Sequence, residues 1–266
     1  LPLMASISAL PPLSIDMYLP AIPGMAESLN TEISTIQNSL SIFLLAFGFG
    51  MLFFGSLADK YGRRPLALFG LAGFGLASLG LTLSPTAGAF LFFRFFQGLL
   101  GSAAIVVIPA MIRDCFGKDT AKGMSTVTMI MLTAPLVAPL IGSGLLIFSD
   151  WRAIFLSLTG YSLVVFLLTL WKLPETLSAE SKTQKRSILK NYLHIFTTPR
   201  IYPFLATFLM SGLAFFTYLT SAPFVYITWF GMSEIQFAFI FTTTAVSLIV
   251  ANFINVRHVS RQGPRN

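Results

Sequence analysis

The chain has 266 residues, 55% of them hydrophobic and only 10% charged, with 27 Phe, a mean hydropathy of +0.78 and a formal net charge of +7. Soluble domains do not use side chains this way, so the apolar groups face lipid or other helices and the chain reads as an integral membrane protein. A single cysteine, Cys115, excludes an internal disulfide, and continuous apolar runs exclude an outer-membrane barrel, whose strands would alternate apolar and polar residues.

Windows of about 20 residues place eight membrane helices in chain order. They lie near 1–22, 36–57, 66–84, 88–112, 122–147, 152–172, 200–222 and 236–256. The predicted fold is an all-α bundle. Between the sixth and seventh spans, residues 173–199 (LPETLSAESKTQKRSILKNYLHIFTTP) form the longest polar stretch. They divide the chain into a six-helix part, 1–172, a basic linker, and a two-helix part with a tail, 200–266. The segment from Ile188 to Phe196 suits a short amphipathic helix on the membrane surface.

Cations set the orientation. Lys60, Arg63 and Arg64 share one loop, Arg113, Lys118 and Lys122 a second, and Lys182, Lys185, Arg186 and Lys190 a third; Arg257, Arg261 and Arg265 follow the last span. The alternate loops carry Glu27, Glu32 and Glu234, and only Arg152 breaks the pattern. The positive-inside rule puts the first set and the N-terminus in the cytoplasm. The net charge is then accounted for by topology and anionic lipid, with no call for nucleic acid. Cys115 sits among charged loop residues as a plain reduced thiol, and His194 and His258 assemble no metal cluster. Neither a metal nor a cofactor is expected.

Residues 55–65, GSLADKYGRRP, are a charged turn between two apolar runs. A plain reversal needs Gly62 for the turn, Pro65 to start the next helix, and cations at any spacing. The set here is richer. Gly55 permits close helix approach, Asp59 offers a cap or ion-pair partner, and Arg63 and Arg64 can reach a second loop carrying Arg113 and Asp114.

This stretch resembles the signature between the second and third helices of the major facilitator superfamily. LFFRFFQGLLG resembles the fourth-helix motif R-x-x-Q-G of that superfamily's proton-coupled members, matched at Arg94, Gln97 and Gly98. SIDMYLPAIP resembles the end of the first span in drug:proton antiporters of the Bcr/CflA type, matched at Asp16, Tyr18, Leu19, Pro20 and Pro23. The run from Ala134 to Gly144, which also holds Pro135, resembles the fifth-helix antiporter motif at Pro139, Gly142 and a displaced Gly144, while Ala138 and Ser143 stand where that motif has flanking glycines. The family has twelve spans in two six-helix halves, so the resemblance implies a bundle with about eight of the twelve, truncated after the eighth helix.

A charge inside the bilayer is costly, by ~2.5–3.5 kcal/mol on insertion scales. Arg94 lies within the fourth span, either snorkelling to an interface or acting as a fixed cation at a water-filled cavity. Asp16 lies near the outer end of the first span, where desolvation and a nearby cation compete to set its protonation. The resemblance implies efflux of a small lipophilic or cationic substrate across a bacterial inner membrane, driven by protons, from a monomer that contains no enzyme site. Tyr18, Phe43, Phe47 and Met51 are the expected cavity lining, and the 55–65 turn is expected to latch the cytoplasmic side near Arg113 and Asp114. A proton-coupled metabolite transporter and an inactive truncated product are the alternative readings.

Overall fold

A computed structural model describes residues 1–177, 197–244, 246, 247 and 250. The expected surface helix at 188–196, the cations of the third loop and the tail, His194, His258 and the end of the eighth span lie outside the described residues, as does the side chain of Asp59. The described chain is helical: α1 (Pro2–Asp16), α2 (Ile22–Ser28), α3 (Ile33–Tyr61), α4 (Arg63–Thr82), α5 (Ala87–Val106), α6 (Ile108–Phe116), α7 (Thr120–Phe148), α8 (Arg152–Lys172) and α9 (Tyr202–Pro223). A π-helical turn, Phe224–Trp229, prolongs α9, and residues 234–244 are helical again. Six stretches among the described residues are long and apolar enough to cross a membrane: Ile33–Ala58, Arg63–Thr82, Ala87–Phe116, Gly123–Phe148, Arg152–Lys172 and Tyr202–Trp229.

The first expected span is interrupted. α1 ends at Asp16, a 3-10 turn covers Leu19–Ala21, and α2 follows. Pro20 and Pro23 lack the N–H groups that a continuous helix would use, and this breaks the ladder. Asn30, with φ 51°, then ends α2, as Asn tolerates the left-handed region. In contrast, α3 runs without interruption for 29 residues, or ~44 Å at the α-helical rise, so it projects beyond a ~30 Å hydrocarbon core. It stops at Gly62, whose φ of 104° suits only glycine. α5 starts with Thr86, whose hydroxyl accepts from the Ala89 amide at 3.2 Å. Pro109 marks the step from α5 to α6 within one span.

α5 is the spine of the bundle. It packs along α3 and α4, α4 packs on α8, and α1 lies against α7 and α8. A β-carbon at Gly98 would overlap the backbone carbonyl of Phe43 on α3, so the absent side chain sets that approach. Hydrogen bonds help to tie on the later helices: Gln37 Nε2 donates to the Thr220 carbonyl at 2.7 Å, and Thr242 Oγ1 donates to the Leu136 carbonyl at 3.0 Å. Fully buried Arg94, Tyr18, Phe43, Phe74, Phe90 and Phe155 belong to the core among α1 to α8.

Candidate functional site

Arg94 is 0% exposed. It does not snorkel, and it is enclosed instead of facing an open cavity. Its Nη1 donates to the Ser14 carbonyl at 3.2 Å and to Gln97 Oε1 at 2.6 Å. Gln97 Nε2 donates to Ser78 Oγ at 2.8 Å, and that hydroxyl donates to the Phe74 carbonyl at 2.8 Å. The i, i+3 spacing puts Arg94 and Gln97 on one face of α5, and this chain fixes which way the Gln97 amide points. Around the guanidinium stand the rings of Tyr18, Phe43 and Phe155, at 4.1, 5.1 and 5.5 Å from its central carbon. Three aromatic faces and two acceptors share the desolvation of one cation. Its Nε and Nη2 are buried with no hydrogen-bond partner, leaving two donors for an acceptor that reaches the site.

Tyr18 ties the break after α1 to α3 through its hydroxyl, 3.2 Å from Ser39 Oγ. Phe47 is half-buried and stacks on Phe43 with ring centroids 5.9 Å apart; Met51, one turn further on, is also half-buried. Tyr18 and Phe43 thus close over Arg94, whereas they were expected to line a cavity wall.

Asp16 is the last residue of α1 and is 3% exposed. Among the described residues no ion pair joins it to Arg94. The groups near it in sequence that reach Arg94 are the Ser14 carbonyl and the Tyr18 ring. α7, which carries Pro135, Pro139 and Gly142, meets the chain at the same place: a β-carbon on Gly142 would overlap the Met17 carbonyl oxygen. Pro139 is buried and Pro135 half-buried on this helix.

The 55–65 turn forms a second site. Arg63 is buried and pairs with Asp114 on α6, and its Nη1 also donates to the Ala110 carbonyl at 2.9 Å. Arg64 Nη2 donates to the Leu170 carbonyl at 2.7 Å. Gly55 sits on α3 where an added β-carbon would touch Val106 at 3.4 Å, and Arg113 is exposed. Sequence reasoning missed the organiser of this turn, Glu175. Its Oε1 accepts from the Arg63 amide at 3.1 Å and its Oε2 from the Arg64 amide at 3.3 Å, at the start of α4. The Thr176 and Leu177 amides also donate to Oε1, at 2.9 and 3.0 Å. Partial burial pushes the Glu175 carboxyl up, but the amides of Leu177, Arg63, Arg64 and Thr176 outweigh it and hold the group below the usual range. The available signal was an acid placed directly after the sixth span, ahead of the linker's first lysine.

The family model of the Major Facilitator Superfamily matches residues 4–266. The chain belongs to this superfamily. It is 36% identical over 262 residues, 97% of its length, to a bicyclomycin resistance protein homolog of Haemophilus influenzae, and covers 65% of that protein. A chloramphenicol resistance protein of Pseudomonas aeruginosa is 32% identical over 93% of the chain, which covers 59% of it. The chain therefore spans somewhat less than two thirds of the length of these relatives, which agree with the Bcr/CflA-type motifs. A D-xylose–proton symporter structure superposes with a TM-score of 0.67 at 16% identity, covering 97% of this chain and 68% of the symporter. At that identity the likeness establishes the superfamily's helical fold, in a multi-pass membrane protein.

Proposed function

We propose that this superfamily member acts in proton-coupled efflux of small lipophilic or cationic drugs, by alternating access, and catalyses no chemical step. One observation carries the reading: among the described side chains Asp16 is the only buried carboxylate, in a chain similar to bicyclomycin and chloramphenicol resistance proteins. A bilayer-buried acid is retained at a cost and marks ion or substrate pathways. Asp16 takes up and releases the proton, and the helix break at Met17 and Tyr18 lets its surroundings change as the bundle rocks. Arg94, Gln97 and Tyr18, enclosed in the conformation described, become the substrate end of the cavity when the bundle opens, and the two guanidinium donors left without a hydrogen-bond partner then receive an acceptor on the drug.

In the same reading residues 1–172 are the first half of the transporter, 173–199 the cytoplasmic linker and 200–266 part of the second half. The N-terminus is cytoplasmic, as the positive-inside rule requires, and the protein sits in a bacterial inner membrane as a monomer in contact with lipid. Gly55, Asp59, Gly62, Arg63, Arg64, Arg113 and Asp114 make the cytoplasmic gate, with the Arg63–Asp114 pair as its closed latch. Pro135, Pro139 and Gly142 shape the antiport helix.

The test is ethidium, bicyclomycin and chloramphenicol efflux from cells producing the protein, with and without a protonophore. Protonophore-sensitive extrusion is expected. Correct membrane insertion without extrusion of any of these compounds defeats the drug reading and leaves a metabolite transporter or an inactive product.

A further inference from the structure

α4 and α8 pack along each other, yet between them the outer wall of the bundle holds a groove of about 270 Å³. Ala72 and Gly75 are small residues on its α4 side, and Leu76, Leu79, Leu163 and Phe166 also line it. Leu76 and Leu163 are exposed, so the groove opens outward, toward lipid. Its two hydroxyls are spent on backbone: Ser162 Oγ donates to the Leu71 carbonyl at 2.8 Å and Thr159 Oγ1 to the Phe155 carbonyl at 2.9 Å. With no free donor, the groove suits an aliphatic chain and no polar drug.

The lining itself is uncharged, but a charged pair stands beyond it at the end of the α4–α8 seam. Arg152, the cation that breaks the positive-inside pattern, starts α8 two seven-residue steps before Phe166 and one before Thr159, so its backbone lies on the side of α8 that lines the groove further along. It also bridges to the other wall, with Nη2 donating to the Ser84 carbonyl just past the end of α4 at 3.4 Å. Asp150 stands beside it. Arg152 Nη1 donates to Asp150 Oδ2 at a long 3.4 Å, the Arg152 amide donates to Oδ1 at 2.9 Å, and the guanidinium lies 4.3 Å over the Trp151 ring. Both side chains remain partly open to the outside, at 34% and 57%. From Arg152 to Phe166 the helix rises ~21 Å, enough to carry an acyl chain through one leaflet of a ~30 Å core.

From this geometry we infer that the α4–α8 groove is a binding site for one glycerophospholipid bearing a primary ammonium. Its phosphate meets Arg152, its ammonium meets Asp150, and one acyl chain lies over Ala72 and Gly75. An isolated cation at the end of the seam would select anionic lipid; the adjacent carboxylate cancels that preference and adds an acceptor for N–H donors, which a choline headgroup lacks. Bulk acyl chains are as apolar as the groove, so packing holds the chain while the charged pair supplies selection. The leaflet, the outer one, rests on the orientation proposed above, whereas the site itself does not.

The test is native mass spectrometry of the purified 266-residue chain after exchange into micelles doped with equal ethanolamine, choline and glycerol phospholipids of matched chains. Wild type should retain one lipid, with ethanolamine over choline by roughly two- to fivefold, the scale of an exposed charge pair. Asp150→Asn, which keeps a capping oxygen for the Arg152 amide, should abolish that preference. Arg152→Gln should lower retention of all three headgroups and Arg152→Lys restore it. Ala72→Phe, filling the groove, should remove the bound lipid while leaving the melting temperature intact. Equal retention by Ala72→Phe and wild type, or an unchanged ethanolamine preference in Asp150→Asn, overturns the inference, whatever the outcome of the efflux assay.

Discussion

Gly142 on α7 lies directly against the backbone carbonyl of Met17, the residue after Asp16. The contact places a helix with two internal prolines, Pro135 and Pro139, on the broken end of α1. Any side chain at position 142 must push α7 away, since backbone cannot rotate aside as a side chain can.

Gly142→Ala should therefore cost about 1–3 kcal/mol, the usual scale of overpacking. Gly144→Ala is the control, because no atom lies within 4 Å of a β-carbon there. Thermal melts of the two variants in detergent should separate them, with only Gly142→Ala falling. Equal melting temperatures would mean that α7 yields without cost.

Removal of the Gln97 amide breaks the chain from Arg94 to Phe74. Gln97→Leu leaves Arg94 Nη1 with only the Ser14 carbonyl and strips Ser78 Oγ of its donor. Each buried polar group left unsatisfied costs about 1–3 kcal/mol, so the variant should melt earlier. Gln97→Glu restores the acceptor and adds a charge that pairs with Arg94, but it cannot donate to Ser78 when ionised. It should recover much of the loss at neutral pH. A variant order reversed from this would argue against the guanidinium as the dominant load on the network.

The legible and illegible parts of this protein divide by distance along the chain. Arg94 and Gln97 were readable because their spacing is local and a helix puts them on one face. The clustering of Gly62, Arg63 and Arg64 was readable because the turn is contiguous, and Asp114 because it lies in the next cationic loop. The Glu175 contact was hidden: it joins residues 112 positions apart, through backbone amides that no side-chain pattern announces. The split of the first span was also missed, since hydropathy ignores the missing amides of Pro20 and Pro23. Asp16 stood out as a charge in an apolar stretch, yet its relation to Arg94 depends on which way each faces, and no direct pair forms among the described residues.

Glu175 makes a pH-dependent clasp. Its carboxyl is held low in the fold, so its stabilising share is present above the ordinary glutamate value of ~4.3 and is lost as pH falls through the lower folded value. Glu175→Gln should remove that dependence, as an amide accepts more weakly from the Arg63 and Arg64 amides and does not titrate. Melting curves between neutral and strongly acidic pH should show wild type and variant converging at the acid end. Curves that stay parallel across the range would place the acid sensitivity in another group.

Asp114→Asn tests the latch in a different way. Arg63 is buried, and its pair with Asp114 is backed by the Ala110 carbonyl. Loss of the carboxylate charge leaves a buried guanidinium less well compensated, at roughly 1–3 kcal/mol given that Asp114 is partly exposed. If the pair holds the cytoplasmic side shut, a cysteine placed at Ala110 should react faster with a maleimide in Asp114→Asn, in a background lacking Cys115. Unchanged labelling with lowered stability would make the pair a brace and not a gate.

Asp16→Asn is the decisive variant for the proposed coupling. Asparagine keeps the size and hydrogen-bonding reach of the side chain but cannot carry the charge that a proton cancels. The bundle should tolerate it well, because a neutral amide is cheaper to bury than a carboxylate and no ion pair is broken among the described residues. Stability should hold or rise while protonophore-sensitive efflux falls about tenfold or more, the equivalent of one pK unit of lost coupling. Substrate binding measured at equilibrium should at the same time lose its pH dependence, which a merely structural role for Asp16 would leave in place. Efflux at the wild-type rate with a wild-type pH profile would move proton coupling to a residue elsewhere in the transporter.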